Sequence, residues 1–191
     1  MSVDSLRSRA RPYGTGAVAG AAAYLLGYVF TYALTSGRVR DSSLAWFLQN
    51  ATGDDVTWKL VGWLFYNAQF VSTIVDVRAP FVSGTDAVNF VGQNDVFSQA
   101  LYLLAPLLLV AAGLAVARRR LASDDAGDAV LTGATVAVGY LPLAVLGAVL
   151  FSVEVGSSSA APDLLLAAVL AGVVYPVVFG AIGALIGLRT A

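Results

Sequence analysis

The chain has no cysteine and no histidine among its 191 residues, and only 12% of them are charged. Without cysteine there is no disulfide scaffold, thiol nucleophile or thiolate metal site. Without histidine the commonest general base and the commonest metal ligand are missing too. A soluble domain carries about 25% charged residues. Half that charge beside 58% hydrophobic residues cannot cover a water-facing surface of this size. A net charge of −1 gives no electrostatic footprint for nucleic acid. Lys59 is the single lysine and Glu154 the single glutamate. Arginine and aspartate in their place, with much Ala, Val and Gly, point to a GC-rich, halophilic source.

Long apolar runs are what the chain has instead. A spanning helix needs about 20 mostly apolar residues, and four segments provide them: 14–36, 98–117, 129–151 and 164–188. A fifth stretch, 58–77, carries Asn67, Gln69, Ser72, Thr73 and Asp76, and its strongly apolar part is short. Such runs read as interfacial or re-entrant. Basic residues collect on the cytoplasmic side. With four spans, Arg7, Arg9, Arg11, Arg118, Arg119, Arg120 and Arg189 all fall inside, against Arg38, Arg40, Lys59 and Arg78 outside.

The fold expected is therefore an all-α membrane protein, a four-transmembrane-helix bundle with a mixed α/β extracellular first loop. Residues 1–13, 118–128 and 189–191 are then cytoplasmic. Residues 37–97 form the large outer loop, and 152–163 a short one. In the large loop Asp41-Ser42-Ser43 reads as a cap before a short helix, and Gly53-Asp54-Asp55 precedes a second. Val71 to Val77 and Ala87 to Val91 read as a β-hairpin with a long turn.

Three sets of residues carry functional readings. Trp46, Trp58, Trp63 and Tyr66 suit either a membrane-interface belt or a partner-docking surface. Tyr24, Tyr28, Tyr32, Tyr140 and Tyr175 place hydroxyls within the spans, for interhelical hydrogen bonding or for a polar pathway. Gly16 and Gly20 on the first span, and Gly172 and Gly180 on the last, repeat at helical spacing and permit close helix packing. Pro106, Pro142 and Pro176 interrupt spans and imply kinks. Asn50-Ala51-Thr52 is a glycosylation sequon. No Asp, Glu, Lys, Arg or His occupies the middle of a span, which argues against coupled transport.

The stretch Trp58 to Val71, WKLVGWLFYNAQFV, resembles one found in small haloarchaeal polytopic membrane proteins of unknown function, with Gln69 where that group often has histidine. The layout is also similar to claudin-like tetraspan proteins, with Gly62-Trp63 as a loose match to their loop signature and its paired cysteines missing. Neither resemblance implies an activity.

Together these readings give a non-enzymatic membrane scaffold or accessory subunit, with no cofactor, metal or catalytic residue. Its partners would be the lipid bilayer and further copies or subunits. The alternative is a pore or uncoupled permease. A third class, an enzyme acting on lipid, would rest on Asp54, Asp55 and Asp76 binding a metal.

Overall fold

The computed structural model describes residues 3–79, 82–93, 99–120 and 125–190, with side chains described for 14–78, 83–92, 99–119 and 125–189. Arg7, Arg9, Arg11 and Arg120 therefore lie outside the described side chains. The elements in chain order are α1 (Val3–Arg40), α2 (Ser43–Thr52), α3 (Thr57–Asn67), β1 (Thr73–Ala79), β2 (Val82–Val88), α4 (Phe90–Gln93), α5 (Leu101–Arg120), α6 (Ala126–Ala134), α7 (Val136–Leu150), β3 (Val153–Val155), β4 (Ser158–Pro162), α8 (Leu164–Leu166), a π-helical segment (Ala167–Val174) and α9 (Tyr175–Thr190).

Among the described residues, four helical stretches are long and apolar enough to cross a membrane: Gly14–Arg40, Leu101–Arg119, Ala126–Leu150 and Leu164–Arg189. The protein is thus a polytopic membrane protein. The first helix runs one turn beyond its expected end at Ser36. The Thr31 and Thr35 hydroxyls fold back on the Gly27 and Thr31 carbonyls (2.8 and 2.7 Å), and Arg38 and Arg40 suit the negative end of the helix dipole. Residues 58–77 do not form a fifth span. The helix there stops at Asn67, and Phe70 turns the chain through a left-handed conformation (φ 59°) into β1.

Glycine sets the helix pairings. A Cβ on Gly20 would overlap the Val136 carbonyl, and one on Gly139 would overlap that of Ala17, so α1 and α7 touch backbone to backbone. Gly113, Gly133 and Gly180 meet where α5, α6 and α9 cross, and Gly183 lies against Val110. The glycine faces of the first span (Gly16, Gly20) and of the last (Gly172, Gly180) both meet other segments of the chain. Both faces are consumed within the chain, against the second and third spans.

Two of the three expected kinks fall inside regular helices, Pro106 in α5 and Pro142 in α7. Pro176 is the second residue past the π-helical segment, after Tyr175. Its ring supplies no N–H and crowds the carbonyl one turn back, and a widened turn relieves both.

The hairpin also differs from expectation. β1 pairs with β2 from Thr73↔Val88 to Ala79↔Val82, so the expected long turn is short and Gly84 sits within the strand opposite Val77. Pro80 and Phe81 lie outside the described residues. The Asn89 carboxamide accepts from the Val91 and Gly92 N–H groups (3.0 and 2.9 Å), which ends the strand and starts α4. The connection 152–163 contributes β3 and β4, turned at Gly156 (φ 61°). β4 then pairs with β1, giving one antiparallel sheet in the order β2-β1-β4-β3. A Ser/Ala-rich segment has little intrinsic strand preference. Its partner strand makes it one.

Caps fix where the short helices begin. The Ser42 hydroxyl accepts from the Ala45 N–H (3.2 Å), and Asp163 from the Leu166 N–H (2.9 Å). At α3 the Asp55 carboxylate accepts from the Thr57 N–H (2.9 Å). Bonds from the Thr57 side chain and backbone hold the Asp55 carboxyl below the usual carboxylate range. A lowered folded-state value contributes stability that is present above the ordinary carboxylate pKa and lost as pH falls through the folded one. Acidification from about pH 6 to about pH 3 should therefore lower the thermal midpoint less in Asp55→Asn than in wild type. Equal slopes would show that this cap does not matter.

Candidate functional site

Every residue of α3 from Leu60 to Tyr66 is buried, so beyond Trp58 and Lys59 in its first turn this helix has no exposed side. A short helix apolar all round must lie inside a fold. Here it is seated among α1, α7 and the sheet, at the sheet side of the bundle. Glycines make room for its rings. A Cβ on Gly62 would overlap the Phe151 ring, one on Gly27 would press on Phe65, and one on Gly147 would overlap the Tyr24 hydroxyl.

An aromatic cluster results. Tyr24 meets Phe65 edge to face (5.2 Å, 87°) and Tyr140 likewise (5.2 Å, 81°). Tyr28 stacks on Phe151 (5.3 Å, 18°), which also receives the Trp58 ring. Such pairs add about 0.5–1.5 kcal/mol each beyond their burial.

The polar atoms of the cluster are paired with protein. The Tyr24 and Tyr66 hydroxyls bond to one another (3.0 Å), and Tyr66 also donates to the Ala144 carbonyl. Tyr140 donates to Gln69 Oε1 (2.7 Å), and Gln69 Nε2 to the Phe65 carbonyl (3.1 Å). Tyr28 donates to the Trp58 carbonyl (3.0 Å), Trp63 Nε1 to that of Phe151 (2.7 Å) and Lys59 to that of Ser152 (2.8 Å). Asn67 closes the lower end. Its amide donates to the Val71 carbonyl (2.9 Å) and Thr73 Oγ1 (3.2 Å), and its Oδ1 accepts from the Phe90 N–H (2.8 Å). No described buried side-chain polar atom lacks a partner.

The residues singled out in the sequence are redistributed by this packing. Trp46 is 69% exposed and Trp58 lies at the cluster rim, whereas Trp63 and Tyr66 are buried, so the four do not share one surface. Tyr24, Tyr28 and Tyr140 enter the cluster. Tyr32 touches it through Tyr28 (6.3 Å), and Tyr175 packs on Phe179 (5.2 Å). Gly16 faces Thr135 and Gly172 faces Leu141. Asn50 is exposed on α2 and donates to the Trp46 carbonyl (2.7 Å). Asp76 pairs with Arg78 (2.9 Å). Asp54 and Asp55 border a cleft of about 860 Å³ with Trp58, Lys59 and Glu154. Among the described residues no three acidic side chains come together as a metal site. Phe65, Phe151 and Gly147 were not singled out, and Asn67 and Gln69 entered only as polar breaks in the 58–77 run, Gln69 also as a departure from the resembled group. The one available signal was two amides, Asn67 and Gln69, ending an apolar run.

The pairing of Tyr140 with Gln69 gives a measurable coupling. Gln69→Leu strands the buried Tyr140 hydroxyl and should cost about 1–3 kcal/mol. Adding Tyr140→Phe should recover part of that loss. Additive effects of the two changes in detergent thermal unfolding would show that the bond contributes nothing.

No curated protein and no solved structure matches the chain. The family of unknown function DUF7978 matches residues 2–191. With its match covering nearly the whole chain, this four-helix membrane protein belongs to DUF7978.

Proposed function

We propose that the protein is a non-enzymatic membrane scaffold or accessory subunit, with both termini cytoplasmic, that recruits a partner subunit or a further copy through its outer face. One observation carries this reading. The outer connections are hydrogen-bonded and stacked into the bundle through α3, and on that fixed base α2 holds Trp46 exposed. Rigid aromatic anchors lose little conformational freedom on binding and dominate interface energetics. Of the hydroxyls that would line a pathway, those of Tyr24, Tyr28 and Tyr140 are instead paired with neighbouring side chains and a carbonyl. With the glycine faces spent on internal packing, association passes through the outer face.

The test is purification from native membranes in mild detergent, wild type beside Trp46→Ser. A companion chain, or a second copy, that is retained by wild type and lost at least tenfold in the variant supports the reading. Unchanged association overturns it. Selective solute flux by the purified protein in liposomes, abolished in Tyr28→Phe or Tyr140→Phe, would replace it with the pore. The assigned orientation fails if a C-terminal tag is digested by protease added outside intact cells.

A further inference from the structure

A second hollow lies between α2 and one face of the sheet, with a volume of about 530 Å³. Phe47 and Leu48 of α2 form one wall, Val75 and Val155 of the sheet the other, and Trp63 and Phe90 the floor. The two floor rings stack in parallel (6.0 Å, 16°). Trp63 Nε1 is already donated to the Phe151 carbonyl. Water in such a slot would find few partners, and an apolar occupant gains what water cannot.

Size and place select the occupant. Small-molecule sites span about 300–1,000 Å³ and are mostly apolar, and this hollow falls within that range. A protein partner needs about 20–30 residues a side, and only 13 line this slot. The slot also adjoins the membrane-spanning segments. Trp63 is bonded to Phe151, the residue after the third span, Val155 is five residues past Leu150, and Ala160 is four before Leu164. At about 3.3 Å per residue the sheet wall stands within about 17 Å of the span ends. The bilayer is the nearest source of apolar ligand.

We propose that this groove is a lipid-binding site that takes one hydrocarbon chain of a membrane lipid from the adjoining leaflet. The chain lies along Phe47 and Val155 with its end on the Trp63–Phe90 pair. Ser158, which shares the sheet face of Val75 and Val155, is the polar side chain on the groove side and faces its polar end, whereas Asp76 and Ser159 alternate to the opposite face. The site goes beyond the scaffold reading and does not depend on it.

The test uses the full chain in phosphatidylcholine vesicles containing phosphatidylcholine brominated near the chain end. Trp46→Phe with Trp58→Phe leaves Trp63 as the single tryptophan. Trp63 is only 2% exposed, yet its fluorescence should fall at least twofold in brominated vesicles. Adding Val155→Phe, which fills the groove, should restore most of it, because annular lipid is untouched by that change. Quenching that is absent, or unaltered by Val155→Phe, overturns the proposal. If that variant fails to fold, wild type is photolabelled with a phosphatidylcholine bearing a chain-end diazirine. Label on both groove walls, at 44–48 and 153–160, supports the site. Label confined to lipid-facing span residues such as Leu25 and Leu165, or a polypeptide cross-linked in the groove instead, overturns it.

Discussion

Replacing Gly180 by leucine is expected to give a large loss of stability, because three helices meet at this residue. A Cβ at Gly180 would lie 2.5 Å from the Gly133 carbonyl oxygen, and the Gly180 carbonyl itself fills the space in front of Gly113 and Gly133. The obstructing atoms are backbone, which no rotamer change can move aside. Three helices would have to separate, losing the close contacts on which association in lipid depends. A cost of about 3 kcal/mol or more follows, at the upper end of overpacking effects. Thermal unfolding in a mild detergent reads it, with Gly14→Leu as the control, since nothing lies within 4 Å of a Cβ there. Equal midpoints for the two variants would show that the crossing is looser than its geometry.

The second large effect is expected at Asn67, which is fully buried. Leucine has a similar volume, so the change isolates the hydrogen bonds. It strands the Phe90 N–H and leaves the Val71 carbonyl and Thr73 hydroxyl without their donor. Each buried group left unmade costs about 1–3 kcal/mol, so for these three groups a loss of about 3 kcal/mol or more is expected. The effect should be local. Asn67 joins the end of α3 to β1 and α4, so amide exchange should quicken across Thr73–Ala79 and Phe90–Gln93. The crossing of α5, α6 and α9 should keep its protection. Uniform acceleration, or none, would mean that Asn67 is not the tie. Asn67→Asp should fare no better, since a carboxylate keeps the acceptor, loses the donor and buries a charge.

Much of this fold is legible in the chain because bilayer physics acts on composition and length. A segment of about 20 apolar residues has few alternatives to a spanning helix. The four spans could therefore be placed to within a few residues, and the amides at Asn67 and Gln69 separated residues 58–77 from them. Turn and cap chemistry is similarly local. Ser42 bonds three residues ahead and Asp55 two residues ahead, within the reach of a pattern.

What the chain could not show depends on partners distant in sequence. Trp63 and Tyr66 read as surface aromatics until Phe151 and Ala144, some eighty residues away, supply the carbonyls that let them be buried. Tyr140 was a phenol in a span with two readings, and Gln69 makes it an interior hydrogen bond. β4 carries weak strand preference and exists because β1 offers it an edge. Glycine periodicity announced close approach without saying what approaches. The number of spans, the helix starts after Ser42 and Asp55 and the absence of cysteine and histidine chemistry were thus determined by sequence alone, since solvation and local backbone geometry act residue by residue. The seat of α3, the joining of two connections into one sheet and the groove between that sheet and α2 were decided only in three dimensions. Hydrogen bonds and packing between distant segments depend on which surfaces meet, and no local pattern encodes that.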